Sequence, residues 1–179
     1  MKSKIKIAGH PIHPMLVAFP IAFYTAAMAT YITYMINNDP FWFRVAYIAN
    51  VAGVLLAIVA AVPGFLDWLM AIPKRSVAKR TGVVHMSLHV FALVCFSLNW
   101  WMQSAKWNDI QPEASASVFL SIVGVLSTIA GGIYGWTLVQ THHLGVYLTA
   151  EQERLEPDEQ IKTQVRGVPP TTRPASQKI

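Results

Sequence analysis

The run FRVAYIANVAGVLLAIVAAVPGFLDWLMA, Phe43–Ala71, decides the fold. Its only charged side chains are Arg44 near the start and Asp67 near the end. In hydrocarbon a single segment must satisfy its own backbone donors and acceptors, and a helix does so. About 20 residues suffice to cross a bilayer core, so this run has length to spare for tilt or for extension beyond it. Three more apolar runs follow the same logic: Met15–Met35, Val83–Met102 and Ser115–Gln140. The expected fold class is therefore an all-α membrane protein, a four-transmembrane-helix bundle embedded in the lipid bilayer.

Composition agrees. Of 179 residues, 54% are hydrophobic and only 13% charged, with a mean hydropathy of +0.40. A soluble domain carries about a quarter charged residues. The cations are unevenly spread. Lys2, Lys4 and Lys6 precede the first run, and Lys74, Arg75, Lys79 and Arg80 lie between the second and third. The opposite connections hold only Arg44 and Lys106, beside Asp39, Asp109 and Glu113. Positive residues stay on the cytoplasmic side, which predicts an inner (cytoplasmic) membrane protein with N-terminus and C-terminus in the cytoplasm. This asymmetry accounts for the net charge of +5, so nucleic acid is not an expected partner. Ala27-Met28-Ala29 imitates a signal-peptidase site, but the apolar run continues to Met35 and reads as an uncleaved span. The single Cys95 permits neither an intrachain disulfide nor a thiolate metal cluster.

Three regions are expected: residues 1–14 as a cytoplasmic connector rich in histidine and proline, 15–150 as the membrane domain, and 151–179 as a polar, largely disordered tail. The fourth span is expected to run on as helix towards Leu155. Pro11 and Pro14 are expected to hold His10 and His13 in extended conformations, with Pro14 opening the first span. Pro63-Gly64 predicts a kink in the second span. An aromatic rim at the other face, Phe41, Trp42, Phe43, Trp100, Trp101 and Trp107, reads as interfacial anchoring.

All six histidines fall at the cytoplasmic ends of the spans: His10, His13, His85, His89, His142 and His143. Asp67 belongs to the same layer. His85 and His89 share a helical face, about 6 Å apart along the axis. Gly135 and His142, seven apart, share another if the helix continues. His143 points about 100° away from His142. The small residues Ser127, Gly131 and Gly135 repeat at every fourth position, a pattern that suits close helix packing and would also admit a flat cofactor.

Three chemistries compete for this layer. Haem b needs two neutral imidazoles from different helices. An iron, zinc or copper ion, bound or transported, needs three or more converging ligands, and His10, His13, Asp67, His85 and His142 could supply them. The third possibility is a structural layer in a non-catalytic membrane subunit. Asp67 is expected to orient an imidazole through its second ring nitrogen. With no histidine in the other half, a complete transmembrane haem wire within one chain is not expected. No nucleotide loop, nucleophile triad, zinc-protease motif or paired-carboxylate signature appears, so turnover is left open.

The run Gly9-His10-Pro11-Ile12-His13-Pro14-Met15-Leu16-Val17-Ala18-Phe19-Pro20 resembles the opening signature of DUF2231, a family of predicted four-span membrane proteins. Gly64-Phe65-Leu66-Asp67-Trp68, His85, Leu138-Val139, His142 and Gly145-Val146 continue the resemblance over about residues 9–147. It implies that His10, His13, Asp67, His85 and His142 carry the shared pattern. The chain departs from that pattern at His89, where relatives often have asparagine, at His143, where they often have glycine, and at Trp136. A tryptophan at this last position, usually a second glycine, narrows the groove if it turns inward. Similarity of the family to b-type membrane cytochromes implies electron transfer. The leading expectation is a b-type haem protein exchanging electrons with quinol or a redox partner protein, with His85 or His89 as one ligand and His142, His10 or His13 as the other. A homodimer through the small-residue face is also allowed.

Overall fold

The computed structural model describes residues 3–146 and Glu151. Two units are distinguished, Met1–Gly145 and Val146–Ile179, and nearly all of the expected tail lies outside the described residues. The first unit begins with two short antiparallel strands, β1 (Lys6–Ile7) and β2 (His10–Pro11). Five helices follow: α1 (Ile12–Leu16), α2 (Ala18–Asn37), α3 (Pro40–Ala71), α4 (Val77–Ser104) and α5 (Ser115–Gln140). With α1 and α2 counted as one span, four segments are long and apolar enough to cross a membrane. Short connections return the chain each time, so neighbours are antiparallel. Helix α2 packs on α3 and α5, and α4 packs on α3 and most extensively on α5.

The helix boundaries have local causes. Asn38 takes the left-handed conformation (φ 55°) and its N–H closes α2 on the Tyr34 carbonyl at 2.8 Å. Asparagine adopts that geometry more readily than other non-glycine residues. Asp39 then accepts the Phe41 N–H at 2.9 Å, and Pro40 opens α3 where its missing donor costs nothing. Ser76 caps α4 through the Lys79 N–H at 3.1 Å. Between α3 and α4, Trp68 donates its indole N–H to the Lys79 carbonyl, and the Lys79 ammonium lies 3.7 Å from the centre of the Trp68 ring.

Two expectations about helix ends are corrected. The fourth span does not run on towards Leu155: α5 ends at Gln140, where the N–H groups of Thr141 and His142 both turn back to the Thr137 carbonyl. Leu144 closes the turn on Leu138 with His143 left-handed at φ 52°. The expected extended connector is also shorter. His13 is helical: Pro14 is the third residue of α1, in the first turn, where the N–H that proline lacks would have no intrahelical partner anyway. Pro11 remains extended (φ −62°, ψ 126°). Helix α3 is continuous through Pro63.

Inside and outside are arranged for lipid. Ile48, Val62, Phe91, Leu126, Ile129 and Trp136 are exposed, whereas Asn50, Asn99, Gln103, Ser117 and Ser121 are fully buried. Water would favour the reverse. Two apolar clusters fill the centre and the aromatic-rim end, Tyr24 with Ala27, Val54 and Phe96, and Tyr31 with Tyr34, Phe43 and Ala46. At Gly124, a Cβ would lie 2.6 Å from the Phe96 ring, so α4 and α5 approach closely there.

The connection into α5 has an acid-sensitive element. Glu113 accepts the Ser115 N–H at 2.6 Å and faces Lys106 at 3.6 Å. These hydrogen bonds from Ser115, helped by the Lys106 charge, hold its carboxyl below the usual range. A carboxyl so depressed stabilises the fold fully above about pH 4.3 and loses that contribution as the pH falls through its lowered value. Glu113→Gln should therefore cost less than about 1 kcal/mol near neutrality, since the group is exposed, and should flatten the acid limb of stability. Thermal unfolding in detergent as a function of pH checks both.

Candidate functional site

The histidine layer assembles around three imidazoles. His13 from α1 and His85 from α4 have ring centres 6.2 Å apart with planes at 88°. His85 and His89, one turn apart on α4, have ring centres 4.5 Å apart, as their spacing predicts. The Nδ1–H of His13 donates to the Ala60 carbonyl at 2.8 Å, and that of His85 to the Gly131 carbonyl at 2.9 Å. A carbonyl only accepts, so each of these nitrogens carries the proton and each neutral ring keeps Nε2 as its lone-pair nitrogen.

Glycine makes these positions possible. A Cβ at Gly64 would lie 2.6 Å from the His13 ring, at Gly131 2.7 Å from His89, and at Gly135 3.0 Å from His85. The pair Pro63-Gly64 thus has a purpose beyond a kink: Gly64 opens the wall of α3, and the Ala60 carbonyl in the preceding turn receives His13. The stripe Ser127, Gly131, Gly135 is a packing face towards α4. Ser127 donates to the Leu88 carbonyl at 2.8 Å, and the two glycines seat imidazoles rather than leave an open groove. Trp136 does not narrow it, being turned outward and 67% exposed.

The other expected members stand apart from the trio. His10 lies on β2, exposed, with Nδ1 on its own turn at the Ala8 carbonyl, 3.0 Å away. His142 is half-buried in the turn after α5, so the two-turn register with Gly135 no longer applies. Asp67 does not take the expected place behind an imidazole. Its carboxylate is buried and accepts from the Ser3 hydroxyl at 2.6 Å, the Lys4 N–H at 2.7 Å and the Ile5 N–H at 3.1 Å. Backbone carbonyls hold the rings of His13 and His85, and Asp67 holds the N-terminal segment. The five-residue ligand set His10, His13, Asp67, His85 and His142 is consequently not preassembled. Among the described residues no three His, Cys, Asp or Glu side chains converge as a metal ion would require.

A family model described as "Predicted membrane protein (DUF2231)" matches residues 9–147. The chain belongs to the DUF2231 family. No curated protein and no solved structure matches it. The family match spans the trio, Asp67 and all four membrane-spanning segments, and begins after the Ser3–Ile5 stretch that Asp67 holds.

What the sequence did not suggest was the role of two backbone carbonyls, Ala60 and Gly131, as imidazole acceptors. Nor did it single out Asn50, Asn99 and Gln103, although polar residues inside an apolar run are a recognisable signal.

Two measurements test the geometry. Gly131→Ala should destabilise the protein by about 1–3 kcal/mol through overpacking against His89, while Gly132→Ala, whose Cβ would meet nothing within 4 Å, should be within about 0.5 kcal/mol of the parent. Thermal unfolding of the two variants side by side decides this. Asp67→Ala removes three acceptor contacts, so hydrogen exchange at the Lys4 and Ile5 amides should rise sharply.

Proposed function

We propose that this DUF2231 protein is a b-type haem protein of the cytoplasmic membrane, in which His13 and His85 would hold the haem iron, with electron transfer as its activity. The observation that carries the reading is the pair itself. Two imidazoles, from α1 and α4, have ring centres 6.2 Å apart, and their Nδ1–H groups are held by backbone carbonyls. A hydrogen bond at the remote nitrogen is the usual way a protein orients a ligating histidine and raises its basicity.

The number of ligands favours haem over a bare ion. Iron, zinc or copper held by protein alone needs three or more side chains, and no such group converges among the described residues. A porphyrin brings four nitrogens of its own, so two imidazoles complete the iron. When bound, the haem would supply reversible one-electron chemistry. His13 and His85 would fix its axis, while Ala60 and Gly131 would hold the ring orientation. His89 beside His85 would tune the polarity of that face.

Charge asymmetry supports a cytoplasmic position for this end. Lys4 and Lys6 precede α1, and Lys74, Arg75, Lys79 and Arg80 occupy the connection and first turn beyond α3, at the same end of the bundle. Quinol in the membrane or a soluble redox protein at that face would be the electron partner.

An absorption spectrum of the purified protein, oxidised and reduced, tests the proposal together with metal analysis. A reducible Soret band is expected, lost in His13→Ala and in His85→Ala and retained in His10→Ala and His142→Ala. A colourless preparation carrying stoichiometric metal would replace haem by an ion. A colourless, metal-free preparation from haem-supplemented cells would leave the trio as a structural layer, a reading favoured by the glycine seats that hold each ring.

A further inference from the structure

The half of the bundle without histidines has its own buried polar layer. Asn50 of α3, Asn99 and Gln103 of α4, and Ser117 and Ser121 of α5 are all fully buried, as is Tyr31 of α2, and Tyr24 is nearly so. The layer is joined by contacts. Asn50 donates its amide N–H to the Phe96 carbonyl at 3.0 Å, and Phe96 stacks on Tyr24 with ring centres 3.7 Å apart. Asn99, three residues beyond Phe96, donates to the Ser117 carbonyl at 3.4 Å. Gln103, one turn further, donates to the Ser117 hydroxyl and to the Glu113 carbonyl. Tyr31 meets Phe43 edge to face, and Phe43 lies two turns from Asn50 on the same face of α3.

Each amide is oriented by a backbone carbonyl, which only accepts, so its NH2 group is committed and its oxygen is left over. Five buried atoms then have no protein partner: Asn50 Oδ1, Asn99 Oδ1, Gln103 Oε1, Tyr24 Oη and Tyr31 Oη. In a hydrocarbon surround an unpaired polar group costs several kcal/mol. Five of them together would be a heavy burden on a small bundle, so a guest that pairs them is the economical solution.

The inventory specifies that guest. Three oxygens can only accept, while two phenols can donate or accept. No carboxylate belongs to the set to balance a cation. Water meets both requirements, since it accepts a hydrogen bond from each phenol and donates hydrogen bonds to the amide oxygens. Internal waters, each making about three hydrogen bonds, would pair these atoms. We propose that the histidine-free half of the bundle encloses an internal water site, built by Tyr24, Tyr31, Asn50, Asn99 and Gln103. This site is independent of whatever occupies the imidazole end. It gives the half-bundle facing the aromatic rim a hydrated interior within an apolar shell.

Hydroxyl-radical footprinting by X-ray radiolysis of the intact protein in detergent tests this, because bound water sensitises buried side chains next to it. Labelling of Tyr24 and Tyr31 is expected in the native protein, above that of the equally buried Phe43, and it should be lost in Asn99→Leu and in Asn50→Leu. Native Tyr24 and Tyr31 labelling no better than Phe43 would overturn the proposal, and needs no variant to fold. Leucine variants more stable than the parent would also overturn it, since they would show the oxygens to be unpaired rather than hydrated. A rise in melting temperature with sodium, potassium or ammonium, but not with N-methylglucamine, would replace water by a monovalent cation.

Discussion

Hydrocarbon offers a buried polar atom nothing to bond to, and this constraint governs the whole bundle. It forces the four spans to be helical, turns their large apolar side chains outward, and makes each polar group kept inside depend on a named partner. Where partners exist, they are frequently backbone atoms of a neighbouring helix. Ala60, Leu88, Phe96, Gly131 and Ser117 all lend their carbonyls to side chains from elsewhere. Such contacts require close helices, and close helices require the glycines at 64, 124, 131 and 135. Packing and polarity are therefore one problem, solved by the same residues.

The two ends of the bundle solve it differently. At one end, imidazoles present a ring nitrogen while the other is held by a carbonyl, an arrangement suited to ligation. At the other end, amides and hydroxyls point oxygens inward, which suits hydration. Between them lie Ala27, Val54, Phe96 and Val125, an apolar section without a histidine. The polarity of the chain along the membrane normal is thus chemical as well as electrostatic, with imidazoles at one end and amides and hydroxyls at the other.

Much of this was legible in the amino acids. Length and composition determine the four spans, and the ends of α3 at Ala71 and of α5 at Ser115 and Gln140 coincide with the limits of the apolar runs. The spacing of His85 and His89 correctly predicts a shared face. What escaped depends on tertiary contacts that periodicity does not encode. Asp67 in an apolar run announces a partner but does not name it, and the partner turned out to be backbone N–H groups more than sixty residues away. His142 was assigned to a helical face because nothing in Thr141-His142-His143-Leu144 marks a stop as glycine would, yet His143 supplies the left-handed residue. Membership of DUF2231 accounts for the shared pattern without choosing among its chemical uses.

The Asp67 clamp also sets an order of assembly. Its hydrogen bonds join residues separated by 62, 63 and 64 positions, so they form only after α3 has emerged and taken its place. Until then Ser3, Lys4 and Ile5 lack this carboxylate, although Lys6 and Ile7 can already pair with His10 and Pro11. Within the hairpin of the first two spans, the end that carries His13 is consequently closed by Ser3–Ile5 only after α3 has been made through Asp67. A nascent chain would pass through a stage in which this end is open and the rest of the hairpin is built.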